Sequence, residues 1–119
     1  MQEPRARALV VDDDGALRML CRVNLELEGF VVREAATLAE AEAALSAERP
    51  DVVLLDVHLG GEQSHDLLAR IRAAGIPVAL VTGSVDIHDY RDSADAVLGK
   101  PFNPQTLVET ARRLARVPS

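Results

Sequence analysis

The stretch Asp51-Val52-Val53-Leu54-Leu55-Asp56 sets a run of branched apolar residues between two carboxylates. A run this short, without polar alternation, fits a strand covered on both faces, and such strands lie inside parallel sheets. Ligands of open α/β sheets bind beyond the carboxyl ends of the strands, which is where Asp56 falls. A second run of the same character, Ala8-Leu9-Val10-Val11, ends in Asp12-Asp13-Asp14. Two buried strands that deliver acids at the same end predict one shared acidic site.

Outward from these runs, strand and helix patterns alternate. The first strand is expected at about 6–12 and the first helix at about 15–28, with Leu17, Leu20, Cys21 and Leu25 inward and Gly29 ending it. The second strand is expected at 31–35. Thr37 and Glu40 have capping-box spacing and start a helix that turns Leu38, Ala41 and Leu45 inward, and Arg49-Pro50 stops it. The third strand, 52–56, is followed by a loop through Leu59-Gly60-Gly61-Glu62 and a helix at 64–74 that buries Leu67, Leu68 and Ile71 before Gly75. The fourth strand is expected at 77–81, ending at Thr82-Gly83. The polar stretch 84–93 reads as a short, marginal helix whose Asp86, Asp89 and Asp92 form a solvated face. The fifth strand is expected at 96–98. Asn103 caps a last helix with Pro104 in its first turn and Leu107, Val108, Ala111 and Leu114 toward the core.

Five βα units predict one doubly wound α/β domain over residues 1–119, a (βα)5 fold with helices on both faces of a parallel sheet. Length and unit count fit the strand order 2-1-3-4-5. The first and third strands are then neighbours at the switch point, so Asp12, Asp13 and Asp56 share one crevice. Thr82 and Lys100 end the fourth and fifth strands on the same edge.

Bulk composition excludes several function classes. The chain has 119 residues and is 48% hydrophobic, enough for a core without a disulfide framework or a structural metal. A single cysteine, Cys21, allows no intrachain disulfide, and a reducing, cytoplasmic setting is expected. Residues 2–5 lead into no apolar signal segment, and no stretch approaches a membrane span. A net charge of −6 and three aromatic residues argue against direct nucleic-acid binding. Of 13 basic residues, Lys100 is the single lysine. A compact ammonium enters a small anionic site that a planar guanidinium would overfill.

Clustered carboxylates repel one another, and a cation relieves the cost. All-oxygen ligands favour a hard ion such as Mg²⁺, held by one or two carboxylates, waters and phosphate oxygens. Asp56 is then a candidate nucleophile, since carboxylates form acyl phosphates. Lys100 would offset charge on a transferring phosphoryl group, and the Thr82 hydroxyl could donate to one of its oxygens. The milder reading of Asp12–Asp14, acids favoured at a helix N-terminus, explains Asp14 but not Asp56.

The set Asp12-Asp13, Asp56, Thr82-Gly83 and Lys100-Pro101-Phe102 resembles the receiver domain of two-component response regulators, over essentially the whole chain. The resemblance implies Asp56 as phosphoacceptor and Asp12, Asp13, Asp56 and the backbone carbonyl of His58 as Mg²⁺ ligands. It further implies Thr82 as the switch hydroxyl, Lys100 as the phosphoryl contact and a cis peptide at Lys100-Pro101. The implied partners are a sensor histidine kinase or histidine phosphotransfer protein upstream, and a downstream protein or an output domain beyond this chain. Such a protein receives a phosphoryl group and self-dephosphorylates rather than acting as a conventional turnover enzyme. His58 and Ser84 occupy the positions that influence hydrolysis in the resembled family. Two departures stand out: Val97 replaces the family's common aromatic residue, and Gly60 stands where a proline is common. An aromatic-rotation switch is therefore not expected at position 97, and any output is expected to move the segment 83–93.

Two rivals share parts of this pattern. Asp12-Asp13-Asp14-Gly15 also resembles the Asp-x-Asp-Gly turn of haloacid-dehalogenase-like phosphatases, but the one acid after Lys100 is Glu109, within the last helix. A pseudo-receiver, a binding module that is never phosphorylated, would not need the full set of acids and Lys100. His58, His65 and His88 have no metal-ligand spacing and read as surface or loop residues.

Overall fold

The computed structural model describes residues 5–59, 62–83 and 94–116. Five parallel strands form the main sheet: β1 (Arg7–Val11), β2 (Val31–Ala35), β3 (Val52–Asp56), β6 (Val78–Thr82) and β7 (Ala96–Gly99). Their spatial order is β2-β1-β3-β6-β7, which is 2-1-3-4-5 among the parallel strands. The expected fold is therefore the observed one. β3 lies at the centre, Ala8–Val11 of β1 pairing with Val52–Leu55 and Val53–Asp56 pairing with Val78–Val81.

The apolar runs lack polar alternation because each face of the sheet carries its own core. Val53, Leu55, Leu9 and Val11 face α2 (Leu38–Ala47) and α3 (His65–Ala73), packing with Ala41, Ala44, Leu67 and Ile71. Val52, Leu54, Ala8 and Val10 face the other way. They pack with Cys21 and Leu25 of α1 (Gly15–Leu27) and Leu107, Val108 and Ala111 of α4 (Pro104–Ala115). Every residue of β3 is buried.

Local signals set the helix ends. The Asp14 carboxylate accepts from the backbone N–H groups of Ala16 and Leu17 at the start of α1. At α2, the Thr37 hydroxyl accepts from Glu40 N at 3.1 Å, and the Glu40 carboxylate accepts from Ala36 N at 2.7 Å. The Asn103 side chain accepts from Gln105 N at 2.8 Å to start α4. Gly29 and Gly75 follow α1 and α3 with φ of 94° and 74°, a left-handed conformation that costs a residue with a Cβ.

Three expectations need correction. Leu20 does not face the core: it is 41% exposed, because the inward side of α1 is centred on Cys21 and Leu25. It joins an outer stripe with Met19, Val23 and Leu27. The loop after Asp56 contains a small antiparallel pair, β4 (His58–Leu59) with β5 (Glu62–Gln63). Strand boundaries move by a residue: β6 includes Thr82, and β7 includes Gly99, paired with Thr82. The expected helix at 84–93, with Tyr90, Ser84, His88 and its three aspartates, lies outside the described residues, as do Gly60 and Gly61.

Candidate functional site

Sheet register assembles the site. Val11 pairs with Leu55, so the residues that follow, Asp12 and Asp56, leave adjacent strand ends side by side. Carboxylate oxygens of Asp12, Asp13 and Asp56 come within 4.8 Å of one another, the one group among the described residues with the makings of a metal site. Asp12 and Asp56 are buried, whereas Asp13 is exposed at the mouth.

Lys100 joins from the end of β7. Its Nζ lies 3.3 Å from Asp12 Oδ2 and 3.3 Å from Asp56 Oδ2. Backbone pairing sets this reach: Lys100 N donates to Thr82 O at 2.7 Å, tying the ends of β6 and β7 together. Thr82 is buried at the end of β6, on the same edge. The Lys100–Pro101 peptide is cis. The structure thus brings Asp12, Asp13, Asp56 and Lys100 together and puts Thr82 at the adjoining strand end. For His58, the backbone is described in β4, and its side chain lies outside the described residues.

Electrostatics in the cluster are unevenly balanced. Burial raises the pKa of Asp12; the Asp14 N–H pulls it down, Asp56 raises it further, and Lys100 opposes that. For Lys100, burial disfavours the ammonium, but Asp12 and Asp56 overcome this and the net shift is upward. The two partners of one ion pair thus differ in what they gain. Two carboxylates act on Lys100, while Asp12 shares that cation with a second carboxylate. Three carboxylates and one ammonium leave net negative charge around hard oxygen donors, a donor set that fits Mg²⁺.

Two features carried no sequence signal of their own. Ser64 is buried, and its hydroxyl lies 2.7 Å from Asp56 O and 2.8 Å from Val57 O, closing the β3–α3 connection. Arg18 reaches back from α1 to the Asp12 carbonyl at 2.8 Å. A serine before a helix and an arginine among twelve give no hint of such partners.

The sheet order and a switch-point acid cluster define a flavodoxin-like α/β protein with a hard-cation type of site. The sequence matches the family model described as "Response regulator receiver domain" over residues 8–112. Among curated relatives, the DNA-binding response regulator MtrA of Mycobacterium tuberculosis is 36% identical, covering 98% of this chain and 53% of that protein. The C4-dicarboxylate transport transcriptional regulatory protein DctD of Rhizobium meliloti is 37% identical, covering 87% of this chain and 24% of its own length. The chain spans about half the length of MtrA. A CheY-like response regulator receiver domain protein from Methanospirillum hungatei superposes with a TM-score of 0.87 at 30% identity, covering 95% of both chains. The receiver domain of NtrX from Brucella abortus gives 0.85 at 29% identity, covering 93% of this chain and 99% of that one. The chain belongs to the response regulator receiver domain family of two-component systems. The phosphatase reading is set aside with it. Glu109, the acid it would need, is exposed on α4 and pairs with Gln105 at 3.4 Å.

Proposed function

We propose that residues 1–119 work as one receiver unit that takes a phosphoryl group from a phosphohistidine partner onto Asp56. The observation that carries this is the convergence of Asp12, Asp13 and Asp56 within 4.8 Å, with Lys100 bridging two of them. A carboxylate oxygen of Asp56 attacks phosphorus, the phosphorus–nitrogen bond breaks, and the imidazole nitrogen leaves and takes up a proton. An acyl phosphate remains on Asp56. Lys100 holds a positive charge where phosphoryl oxygens gather, and Thr82 supplies a hydroxyl donor from the end of β6. Asp12, Asp13, Asp56 and the His58 backbone carbonyl are the groups that would hold Mg²⁺, and the ion would offset phosphoryl charge. Phosphorylation would then change what the domain binds, either a separate protein or an output module such as the DNA-binding function named for MtrA. The reading implies a cytoplasmic setting, where sensor kinases present their phosphohistidine. Among the described residues, no helix is long and apolar enough to cross a membrane.

Phosphotransfer profiling tests this. Purified histidine kinases, autophosphorylated with labelled ATP, are each mixed with the protein and sampled over short times. One kinase should transfer label much faster than the rest, and Asp56→Asn should abolish transfer while the variant keeps its circular dichroism spectrum. Equal labelling of Asp56→Asn would remove Asp56 as acceptor. No transfer from any kinase, and none from a small phosphodonor with Mg²⁺, would favour a pseudo-receiver.

A further inference from the structure

The backbone of Asp12 is held on both sides of its Cα, and the carbonyl side is the Asp12–Asp13 peptide. Asp12 N donates to Ala35 O of β2 at 3.0 Å. On the other side, Arg18 Nη1 donates to Asp12 O at 2.8 Å. The same guanidinium uses Nε to reach Glu34 Oε1 at 3.2 Å, and Arg22 Nη1 donates to the second Glu34 oxygen at 2.6 Å. Glu34 belongs to β2 and both arginines to α1, so the turn carrying the acids is fixed to two elements at once.

We propose that Arg18 is a positioning residue for metal binding, setting the Asp12–Asp13 peptide so that the two carboxylates point into one site. This rests on the Mg²⁺ reading above. The peptide unit is planar, so fixing the Asp12 carbonyl also fixes the orientation of Asp13 N and the path into Asp13. Asp13 is exposed and stands at a turn, where a rotated peptide would carry its carboxylate away from Asp12 and Asp56. Mg²⁺ demands near-octahedral geometry and tolerates misplaced ligands poorly. Groups that orient metal ligands from behind therefore affect affinity without touching the ion.

Arg suits the task in a way Lys does not. Its planar fork offers donors at fixed angles, here one to a carbonyl and one to a carboxylate. Glu34, shared with Arg22, offsets part of the guanidinium charge and holds the fork in place, so Arg18 acts on the acids mainly through geometry. The pair is also better shielded than an ordinary surface ion pair: the Arg18 and Glu34 side chains are 20% and 26% exposed. Exposed pairs contribute little.

The test is Mg²⁺ titration of the unphosphorylated protein by calorimetry, at a temperature where each variant is folded. Arg18→Met should weaken binding by about tenfold, Arg18→Lys should recover part of that loss, and Glu34→Gln should weaken binding several-fold. Glu26→Gln, which removes the exposed second partner of Arg22, should leave affinity unchanged. Mn²⁺ as a spectroscopic probe should show an altered paramagnetic resonance line shape in Arg18→Met. A role in folding alone would lower the melting temperature while leaving Mg²⁺ affinity and the Mn²⁺ line shape intact, and that result overturns the proposal. Should Arg18→Met not fold, unchanged affinity in Glu34→Gln overturns it equally. Absence of Mg²⁺ binding by the unsubstituted protein would instead overturn the metal reading on which the proposal rests.

Discussion

Asp12 carries the electrostatic cost of the site. Burial, joined by Asp56, raises its pKa above the ordinary 3.8 despite the Asp14 N–H and Lys100. The folded protein therefore holds a proton on Asp12 more tightly than the unfolded chain does. The resulting stability is complete below the ordinary value and is lost as pH rises through the raised one, so the ionised group is a net cost at neutral pH. Asp12→Asn should raise the melting temperature of the metal-free protein at pH 7, with the gain shrinking as pH falls toward the ordinary carboxylate range. Thermal unfolding across pH checks this; an unchanged or lower melting temperature at neutral pH would contradict it. Lys100 behaves in the opposite sense. Burial works against its charge, the two aspartates outweigh that, and the stability it lends is lost only as pH rises beyond the ordinary lysine value of 10.5. The receiver resemblance implies that position 58 influences the lifetime of the phosphoryl group. On that proposal, His58→Ala should change the decay rate of the phosphorylated protein by about tenfold or less, since a general base contributes ~10²–10⁴-fold. A thousandfold loss would make it catalytic.

At the scale of elements, α1 links the acidic turn to the core. Asp14 caps it through two backbone N–H groups, at 3.0 and 3.2 Å. Asp14→Ala should cost about 1 kcal/mol, and Asp14→Asn at most a few tenths. Urea unfolding measures both, and equal losses would show that charge rather than capping is at work. Caps of this kind were legible from sequence because they are local: Thr37, Asn103 and Gly29 each act within a few residues of the end they set. The central strands were legible because both of their faces are covered. The β4–β5 pair was not, since strands of two residues carry no periodicity. Leu20 was misplaced because an apolar residue on the rim of a helix reads like one on its inner face. The clasp of Arg18 on Asp12, and that of Ser64 on Asp56, were invisible for another reason. Side-chain bonds to distant backbone leave no spacing to read.

On the scale of the whole molecule, two cores hold the sheet rigid while its carboxyl edge keeps like charges together. Leu25, Leu54 and Leu107 are buried on one face and Leu55, Ile71 and Leu80 on the other, so the repulsion at the edge is borne by packing beneath it. A cation bound by the folded state alone should add stability with concentration, about 1.4 kcal/mol at ten times its Kd. Melting temperatures should climb with Mg²⁺ in the unsubstituted protein and stay flat in Asp13→Asn; parallel climbs would show that binding does not involve Asp13. Which carboxylate receives the phosphoryl group can be read from the trapped adduct. The protein is incubated with Mg²⁺ and a small phosphodonor, the acyl phosphate is trapped by reduction, and the modified residue is located by mass spectrometry. One phosphoryl group is expected, on Asp56; modification of Asp12 instead, or of no carboxylate at all, would contradict the assignment of Asp56 as acceptor.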